Sequence, residues 1–391
     1  MGYILKIKQM KVLFKNLILS LLLGIIMISC EEDDFDGQDF NIGDISALPQ
    51  MVTDPIDNPT SEAKVVLGRT LFWDPILSGE KDVACATCHH PNEGYADGLD
   101  LSIGVGGQNI GPNRRVGHTG FVRRNAQTIL NTAFNGIKND AIAIPELAPM
   151  FWDNRAKSLE EQALLPLLSF EEMRGNAYSE AAALDSITAR LQNIAAYRSM
   201  FEAAFGTTTI TAENMAKAIA TFERTLLANN SPFDRYMRGD ENAMTAEQIE
   251  GMNEFIEVGC VACHSGAMFS DYELHVLGVR DNNKLNESDD GDGNYAFRTP
   301  TLRNLAYTAP YMHNGEFNTL NRVLDFYDDN NDDAQNGNVR DNDLDINLRR
   351  LEGINRRSRD EIIAFLNALN DDNFDRTIPT NVPSGLQPGG H

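Results

Sequence analysis

Two short cysteine motifs carry the clearest chemistry in this sequence of 391 residues. They are Cys85-Ala-Thr-Cys88-His89 and Cys260-Val-Ala-Cys263-His264, and both have the form C-x-x-C-H. Two thiols at this spacing reach the two vinyl groups on one edge of a haem, and the imidazole that follows ligates the iron. The sequence therefore predicts two covalently attached c-type haems, with His89 and His264 as the proximal iron ligands.

Other uses of these four thiols fit the sequence less well. Two disulfides are an option for an exported chain, but they do not explain the repeated spacing. A shared zinc site would leave the two trailing histidines without a role. A redox-active C-x-x-C pair belongs beside a βαβ unit, and the sequence around neither pair indicates one. Haem attachment uses every cysteine except Cys30.

The first thirty residues have the pattern of an export signal. Four lysines precede an apolar run over residues 17–28, and Ser29-Cys30 is followed by four acidic residues. This pattern is typical of a bacterial lipoprotein signal over residues 1–29, with Cys30 as the lipid-bearing residue and residues 30–51 as an acidic tether. It predicts an exported protein, periplasmic or attached to the outer membrane through its lipid. An ordinary signal or a membrane anchor with an incidental cysteine stays open.

The charge of the chain limits its partners. The formal charge is −24, and loss of residues 1–29 removes four lysines and no acids, which leaves about −28. Nucleic acid is excluded as a partner because its phosphates would be repelled. A basic soluble electron carrier would be attracted. Acidity that serves solubility alone is the other interpretation.

Helical patterns dominate the elements that must position the haems. Capping residues precede apolar periodicity at Ser158, Thr211, Thr245 and Ser358, whereas strands with period-two alternation are scarce. We therefore predict a mainly α fold of two cytochrome c-like domains, each with one covalently bound haem, joined through a shared interface. The expected boundaries are 52–230 for the first domain, 231–372 for the second, and 373–391 for a loose tail.

Several further segments resemble one known family, the bacterial diheme cytochrome c peroxidases and their MauG relatives. The resemblance covers about residues 50–372. Besides the haem motifs, the segments that carry it are Leu67–Phe72, Arg124–Ala126, Phe151–Arg155, Glu161–Ala163, Ala220–Thr225, Ser231–Tyr236, Thr299–Asn304 and Ala309–Gly315. In this family the N-terminal haem reacts with peroxide and the C-terminal haem receives electrons from a donor.

The resemblance implies roles for three residues of the first domain. Trp152 matches the tryptophan that lies between the two haems, although core packing against a haem is its plainer interpretation. Gln162 and Glu172 follow it at the spacing of the family's distal glutamine and glutamate. Peroxide cleavage needs a group that accepts and returns a proton, and a carboxylate in a low-dielectric pocket can do both. From the local sequence alone, Glu172 also reads as a surface acid beside Glu171.

The resemblance is less definite about the distal iron ligands. Some members carry a histidine on a mobile loop that occupies the first iron at rest, and His118 lies at about that place; otherwise it is a surface loop histidine. At the second iron, the family's ligand position corresponds to Tyr327 rather than methionine, as in MauG, with Met312 as a rival. A phenolate is a hard anionic ligand, so Tyr327 puts the classical reductive activation in doubt.

The family also binds one calcium ion between its haem domains. The matching positions are Asn125, through its side chain, and Thr308 and Pro310, through backbone carbonyls. Such oxygen ligands suit Ca²⁺. Members often form homodimers, and nothing in this sequence tests that arrangement.

Three functions follow from these observations. The leading hypothesis is a peroxidase that reduces hydrogen peroxide with electrons from a small carrier such as cytochrome c. The second is a MauG-like enzyme that oxidises a side chain of a partner protein, a use that Tyr327 motivates. The third is a non-catalytic electron-transfer cytochrome, which the pair of Gln162 and Glu172 argues against because a carrier needs no such pair.

Overall fold

Several helices begin where a capping side chain precedes an amphipathic run. The computed structural model describes residues 41–137, 142–329, 334–351 and 354–390. Thr211 and Thr245 both cap helices through their hydroxyls, as predicted. The helices are α1 Glu62–Trp73, α2 Cys85–Cys88, α3 Leu159–Gln162, α4 Leu165–Leu168, α5 Glu180–Gln192, α6 Ala195–Phe205, α7 Ala212–Glu223, α8 Pro232–Met237, α9 Ala246–Glu257, α10 Leu320–Asp329 and α11 Arg356–Ala368.

Strands are few in the described part of the chain. β1 Leu274–Val276 and β2 Ala296–Arg298 form one antiparallel pair in which His275 lies opposite Phe297. The prediction of a mainly helical protein is therefore confirmed. The predicted cap of the last helix at Ser358 is wrong by three residues, because the side chain of Asn355 accepts the Arg357 and Ser358 N–H groups and caps the helix earlier.

Each half of the chain has a core built on one close pair of helices. In the first half α1 crosses α7 at Gly68, where an added Cβ would lie 1.9 Å from the Ala218 carbonyl oxygen. In the second half α9 crosses α11 at Gly251, where a Cβ would lie 1.8 Å from the Glu361 carbonyl oxygen. Only glycine permits these two approaches, since any side chain would push the helices apart.

The two ends of the described part of the chain, residues 41–51 and 373–390, pack against opposite halves. Ile45 and Leu48, inside the expected tether, are buried, and Leu48 N–H donates to Asp234 of the second half at 2.9 Å. At the other end Phe374 and Val382 are buried in a cluster with Phe72 and Trp73 of the first half. The tail at 373–390 is therefore not loose, and residues 41–51 are not wholly tether, because apolar side chains within them complete the two cores.

The described residues all belong to one compact unit, so the domain boundary near residue 230 stays a prediction. The predicted signal at 1–29 and the lipid site at Cys30 lie outside the described residues. Among the helices of the described ranges, none has the length and apolar character needed to span a bilayer.

Candidate active site

One large cavity unites the residues that the sequence singled out. Its volume is about 920 Å³, near the upper end of the roughly 300–1,000 Å³ that ligand pockets usually enclose. Both C-x-x-C-H motifs line it, together with side chains from the helices and loops of both halves. The predicted residues on its wall are Trp152, Gln162, Glu172, Asn125, Thr308, Pro310, Met312 and Tyr327.

The two attachment motifs have the geometry that haem ligation requires. All four of their thiols are free, so the disulfide alternative is not what the structure has. His89 Nδ1 lies 3.1 Å from the Tyr95 carbonyl oxygen, and His264 Nδ1 lies 3.0 Å from that of Phe269. A carbonyl can only accept, so Nδ1 carries the proton and Nε2 keeps its lone pair for a metal. Burial lowers the pKa of both imidazoles, which favours this neutral form.

Arg298 supplies a second test of the fit to haem. Its side chain is buried on the cavity wall, donates from Nε to the Phe151 carbonyl at 2.7 Å, and donates from a guanidinium nitrogen to Gln127 Oε1 at 3.0 Å. No carboxylate of the described residues forms an ion pair with it, and burial lowers its pKa to about 10. A buried unpaired cation is costly. The propionate carboxylates of a haem are suitable counter-ions, so the residues present fit the cofactor.

Nothing in the sequence distinguishes Arg298 as a site residue. It stands next to the matched segment that begins at Thr299, and β2 places it. By contrast, Arg124, which begins the matched segment Arg124–Ala126, pairs with Asp153 and Asp289 at 2.7 and 2.6 Å. No sequence signal distinguishes the arginine that pairs from the arginine that faces the cavity, because pairing depends on which side chains the fold brings near.

Trp152 bridges the two halves of the chain at the cavity wall. It is 8% exposed, and its indole Nε1 donates to the Asn125 carbonyl at 3.0 Å. The Arg298 N–H of β2 donates to the Trp152 carbonyl at 2.7 Å. The indole also meets His313 edge-on, with 6.4 Å between ring centroids, and His313 stacks on Phe297 at 3.6 Å. The ring is thus held rigidly by contacts from both sides.

Glu172 lies in a single π-helical turn, Phe170–Arg174, that follows the short helices α3 and α4. The loop that contains Gly104 and Val105, called the glycine loop below, contacts this turn, since Val105 N–H donates to the Glu172 carbonyl at 3.1 Å. A Cβ on Gly104 would lie 2.0 Å from the Glu171 carbonyl oxygen and 2.2 Å from that of Glu172. Wide turns of this kind often occur at functional sites because they redirect side chains.

The carboxyl of Glu172 differs electrostatically from an ordinary surface acid. Loss of hydration raises its pKa, the charge of Glu171 adds to this, and Arg155 opposes it. Glu171 also borders the cavity, but its side chain is exposed. Gln162 ends α3 on the same wall, where Ser158 starts the helix by accepting the Glu161 N–H.

His118 lies outside the cavity in this structure. Its side chain is 48% exposed, and Nε2 lies 3.0 Å from Glu80 Oε1. Its ring packs on Gly106 of the same loop. This conformation does not bring the imidazole to the first motif, so a role as resting ligand stays a prediction.

Tyr327 and Met312 both reach the wall beside the second motif. They pack partly buried against the apolar cluster of Val279, Phe317 and Phe326. Burial raises the pKa of the Tyr327 phenol, and the nearby Cys263 and Cys260 add to that effect. The structure therefore keeps both rival ligands near the second haem site.

The three predicted calcium ligands are brought to one cavity, though the Asn125 amide is engaged elsewhere. Its Nδ2 donates to the Leu99 carbonyl at 2.7 Å, which leaves Oδ1 as its acceptor atom. Thr308 and Pro310 lie in the turn that contains the cis Ala309–Pro310 peptide. The calcium ion stays a prediction.

His275, which had no assigned role, lies between two carboxylates near Cys263. Nδ1 is 2.6 Å from Asp345 Oδ2, and Nε2 is 2.9 Å from Asp271 Oδ2. Although burial opposes it, the bonds to Asp271 and then Asp345 raise the pKa of His275 to about 12. The two carboxylates therefore favour the protonated imidazolium beside the second motif.

Comparison with known proteins decides the family. The model of the di-haem cytochrome c peroxidase family matches residues 62–242. The methylamine utilization protein MauG of Methylorubrum extorquens is 34% identical over 338 residues, which cover 85% of this chain and 85% of that protein. The chain belongs to the di-haem cytochrome c peroxidase family.

Other members of the di-haem peroxidase family agree. The cytochrome c551 peroxidase of Pseudomonas aeruginosa is 35% identical over 280 residues, covering 69% of this chain and 72% of that one. A crystal structure of a MauG-like protein associated with microbial copper homeostasis superposes with a TM-score of 0.68 at 26% identity, over 83% of this chain and 95% of that chain. The predicted family, the enzyme class and the two c-type haems are thereby confirmed.

Proposed function

We propose that this chain reduces hydrogen peroxide to water at the haem of Cys85 and Cys88, using electrons that enter through the haem of Cys260 and Cys263. The observation that carries the proposal is the shared cavity. Its wall joins both proximal histidines, the bridging Trp152, and the polar pair of Gln162 and Glu172. A simple electron carrier needs neither the pair nor the cavity space around it.

The protein's own contribution to the reaction is proton handling and orientation. When bound, the two haems supply the redox chemistry, which is two-electron reduction of peroxide at the first iron and electron entry at the second. The Glu172 carboxylate accepts a proton from one peroxide oxygen and returns it to the oxygen that leaves as water. The Gln162 amide donates a hydrogen bond that orients the peroxide. Overall, H₂O₂ takes up two electrons and two protons and gives two waters.

Trp152 provides the path between the two centres. Its indole is fixed at both edges of the interface, through Asn125 on one side and His313 on the other. A rigid aromatic ring between donor and acceptor shortens the distance that an electron must cross in each step. The strongly negative chain favours a basic carrier, such as a small c-type cytochrome, as the electron donor.

The remaining ligands complete the proposal. Tyr327, buried beside Cys263, would hold the second iron. Asn125, Thr308 and Pro310 would hold calcium, and His118 would serve the first iron only in a different conformation of its loop. We also propose that the protein is exported, lipidated at Cys30, and periplasmic or attached to the outer membrane. The sequence pattern of residues 1–34 supports this part. The family resemblance supports a homodimer.

The test is a matched pair of variants. Glu172→Gln removes the proton-accepting group without changing the shape of the side chain, so we expect peroxide turnover to fall by about 10²–10⁴-fold while both haems stay attached. Glu171→Gln is the control and should keep nearly full turnover. Absorption spectra verify the haem content of each variant, and stopped-flow mixing measures the reaction with peroxide. Full turnover in Glu172→Gln would refute the assignment.

A MauG-like activity is the second candidate, favoured by the tyrosine at position 327. In that case the electrons for peroxide reduction would come from tyrosine or tryptophan side chains of a partner protein, and not from a small carrier. Fast peroxide-dependent oxidation of reduced cytochrome c argues for the peroxidase. Negligible carrier oxidation, together with peroxide-dependent cross-linking of a partner protein, argues for the second candidate.

A further inference from the structure

Glu223 is a buried carboxyl on the cavity wall that the mechanism above does not use. It ends α7 and is 4% exposed. Its Oε2 has no hydrogen-bond partner among the described residues, although it is fully enclosed. A buried polar atom without a partner lowers the free energy of unfolding by about 1–3 kcal/mol. Such an atom on the wall of a reaction cavity therefore indicates a function.

The position of Glu223 is on the side of the first attachment motif. Its charge acts on Cys85, the thiol that becomes one of the haem thioethers. The charged groups that act on Glu223 in return are Arg224, next in the chain, and Glu160 of α3. Burial raises the pKa of Glu223 to about 8, Arg224 lowers it, and Glu160 raises it further. The carboxyl can therefore hold a proton at neutral pH.

Arg224, the next residue after Glu223, forms an ion pair that borders the surface. One guanidinium nitrogen of Arg224 donates to both oxygens of Glu160, at 2.8 and 2.7 Å. The other terminal nitrogen of Arg224 is buried without a partner, as is Glu223 Oε2. Glu160 is 19% exposed and borders a second recess of about 410 Å³. The other charged residues of that recess are Asp57, Glu146, Glu161, Glu213 and Lys217.

An acidic recess of this kind concentrates protons at its mouth, because negative charges attract them. Each peroxide consumes two protons inside the cavity, and Glu172 alone returns only the proton that it took. The cavity therefore needs a supply from outside. The acidic recess at Glu160, which pairs with the neighbour of Glu223 in the chain, offers one.

We propose that Glu223 is the proton-holding residue of the first haem site and that its protons come from the acidic recess at Glu160, while the Arg224 guanidinium stays charged and holds Glu160 in place. This inference rests on the proposed peroxidase function. When an electron reaches the first centre, the added negative charge favours a proton on Glu223. During peroxide reduction Glu223 releases that proton into the cavity for the departing water, and it takes up another from the recess. One proton enters for each electron, so the two-electron, two-proton balance is kept.

The experiment measures the potential of the first haem against pH, from about pH 6 to pH 10, in the holoprotein without peroxide. If reduction is coupled to protonation of Glu223, the potential falls as pH rises through the pKa of this group. In Glu223→Gln, where the side chain keeps its shape but cannot titrate, that part of the fall should be lost. Glu213→Gln is the control, since it removes an acid of the same recess that does not contact Arg224.

A second measurement begins with the wild-type protein. Infrared difference spectra between oxidised and reduced wild-type protein should contain a carboxylic acid C=O band that shifts in D₂O and is absent from Glu223→Gln. Stopped-flow should show peroxide reduction about tenfold slower in Glu223→Gln and in Glu160→Gln, with unchanged haem content.

The same pH slope in all three proteins, with no such infrared band in the wild type, would overturn the proposal. The electrochemistry uses no peroxide, so its outcome is separate from the Glu172 test. Loss of the peroxidase assignment would leave the titration of Glu223 measurable, and a failed titration would leave that assignment intact.

Discussion

At the scale of single residues, function in this protein depends on environment more than on residue type. Glu171 and Glu172 are adjacent and chemically identical, yet one is exposed and the other has a raised pKa on the cavity wall. Environment also distinguishes two arginines. Arg124 is paired with two carboxylates, whereas Arg298 faces the cavity and forms no ion pair with a carboxylate of the described residues. Burial and partners set the chemistry of each group.

The raised pKa of Glu172 leads to a pH prediction. As the proton acceptor, Glu172 must be ionised, so kcat/KM for peroxide should fall as pH falls through its pKa. Because burial raises that pKa, the acidic limb should lie above the roughly 4.3 of a free glutamate. Rate measurements across pH check this. The limb should vanish from the residual activity of Glu172→Gln and persist in Glu171→Gln; an identical limb in both would contradict the assignment.

At the scale of elements, the π-helical turn at 170–174 sets the orientation of the Glu172 side chain. The glycine loop supports this turn through Val105 N–H and the close approach at Gly104. Loop and turn are far apart in sequence. The position of the catalytic carboxyl is thus set by contact between two irregular segments rather than by one regular helix.

A substitution at that contact should disturb both stability and activity. An alanine at position 104 would place its Cβ 2.0 Å from a backbone oxygen, so loop and turn must separate. We expect Gly104→Ala to lower the free energy of unfolding by about 1–3 kcal/mol and to reduce peroxide turnover. Calorimetry and steady-state kinetics measure the two effects.

Gly337→Ala is the matched control, because an added Cβ there meets nothing within 4 Å. It should leave turnover unchanged. Equal behaviour of the two variants would show that the contact at Gly104 does not position Glu172.

At the scale of the whole molecule, the segments 41–51 and 373–390 pack against the second and the first half of the chain, respectively. The tail reaches the first attachment motif itself, since Thr87 Oγ1 donates to the Gly389 carbonyl at 2.6 Å. Asp74 accepts from the Ser384 hydroxyl at 2.6 Å, and Tyr95 donates to the Asp375 carbonyl at 2.7 Å. The tail therefore supports the first haem site although it follows the second in sequence.

Truncating a buried side chain of the tail should weaken the first half selectively. Phe374 is 6% exposed, and Phe374→Ala should lower the free energy of unfolding by about 3–5 kcal/mol. Ile378, in the same tail, is 45% exposed, so Ile378→Ala should change it little. Thermal unfolding, followed through the spectrum of the first haem, measures both. Equal stability of the two variants would mean that the tail is dispensable.

Much of this description was within reach of the sequence. The haem motifs are read from local spacing, because covalent attachment needs contiguous residues. Helix starts follow from capping side chains, as at Thr211 and Thr245, and the family follows from separated segments in order. These features depend on neighbours along the chain, or on patterns that survive without knowledge of contacts.

Other features were decided only by tertiary structure. The tail at 373–390 has no periodicity, so nothing local predicts that Phe374 and Val382 complete a core built from residues about three hundred positions earlier. The buried unpaired Arg298, the enclosed Glu223 and the pairing of His118 with Glu80 likewise depend on partners distant in sequence. A residue's type and spacing specify what chemistry it can do. Burial, and the charges that folding brings near, determine whether it does so here, since these are properties of the packed molecule and not of the local chain.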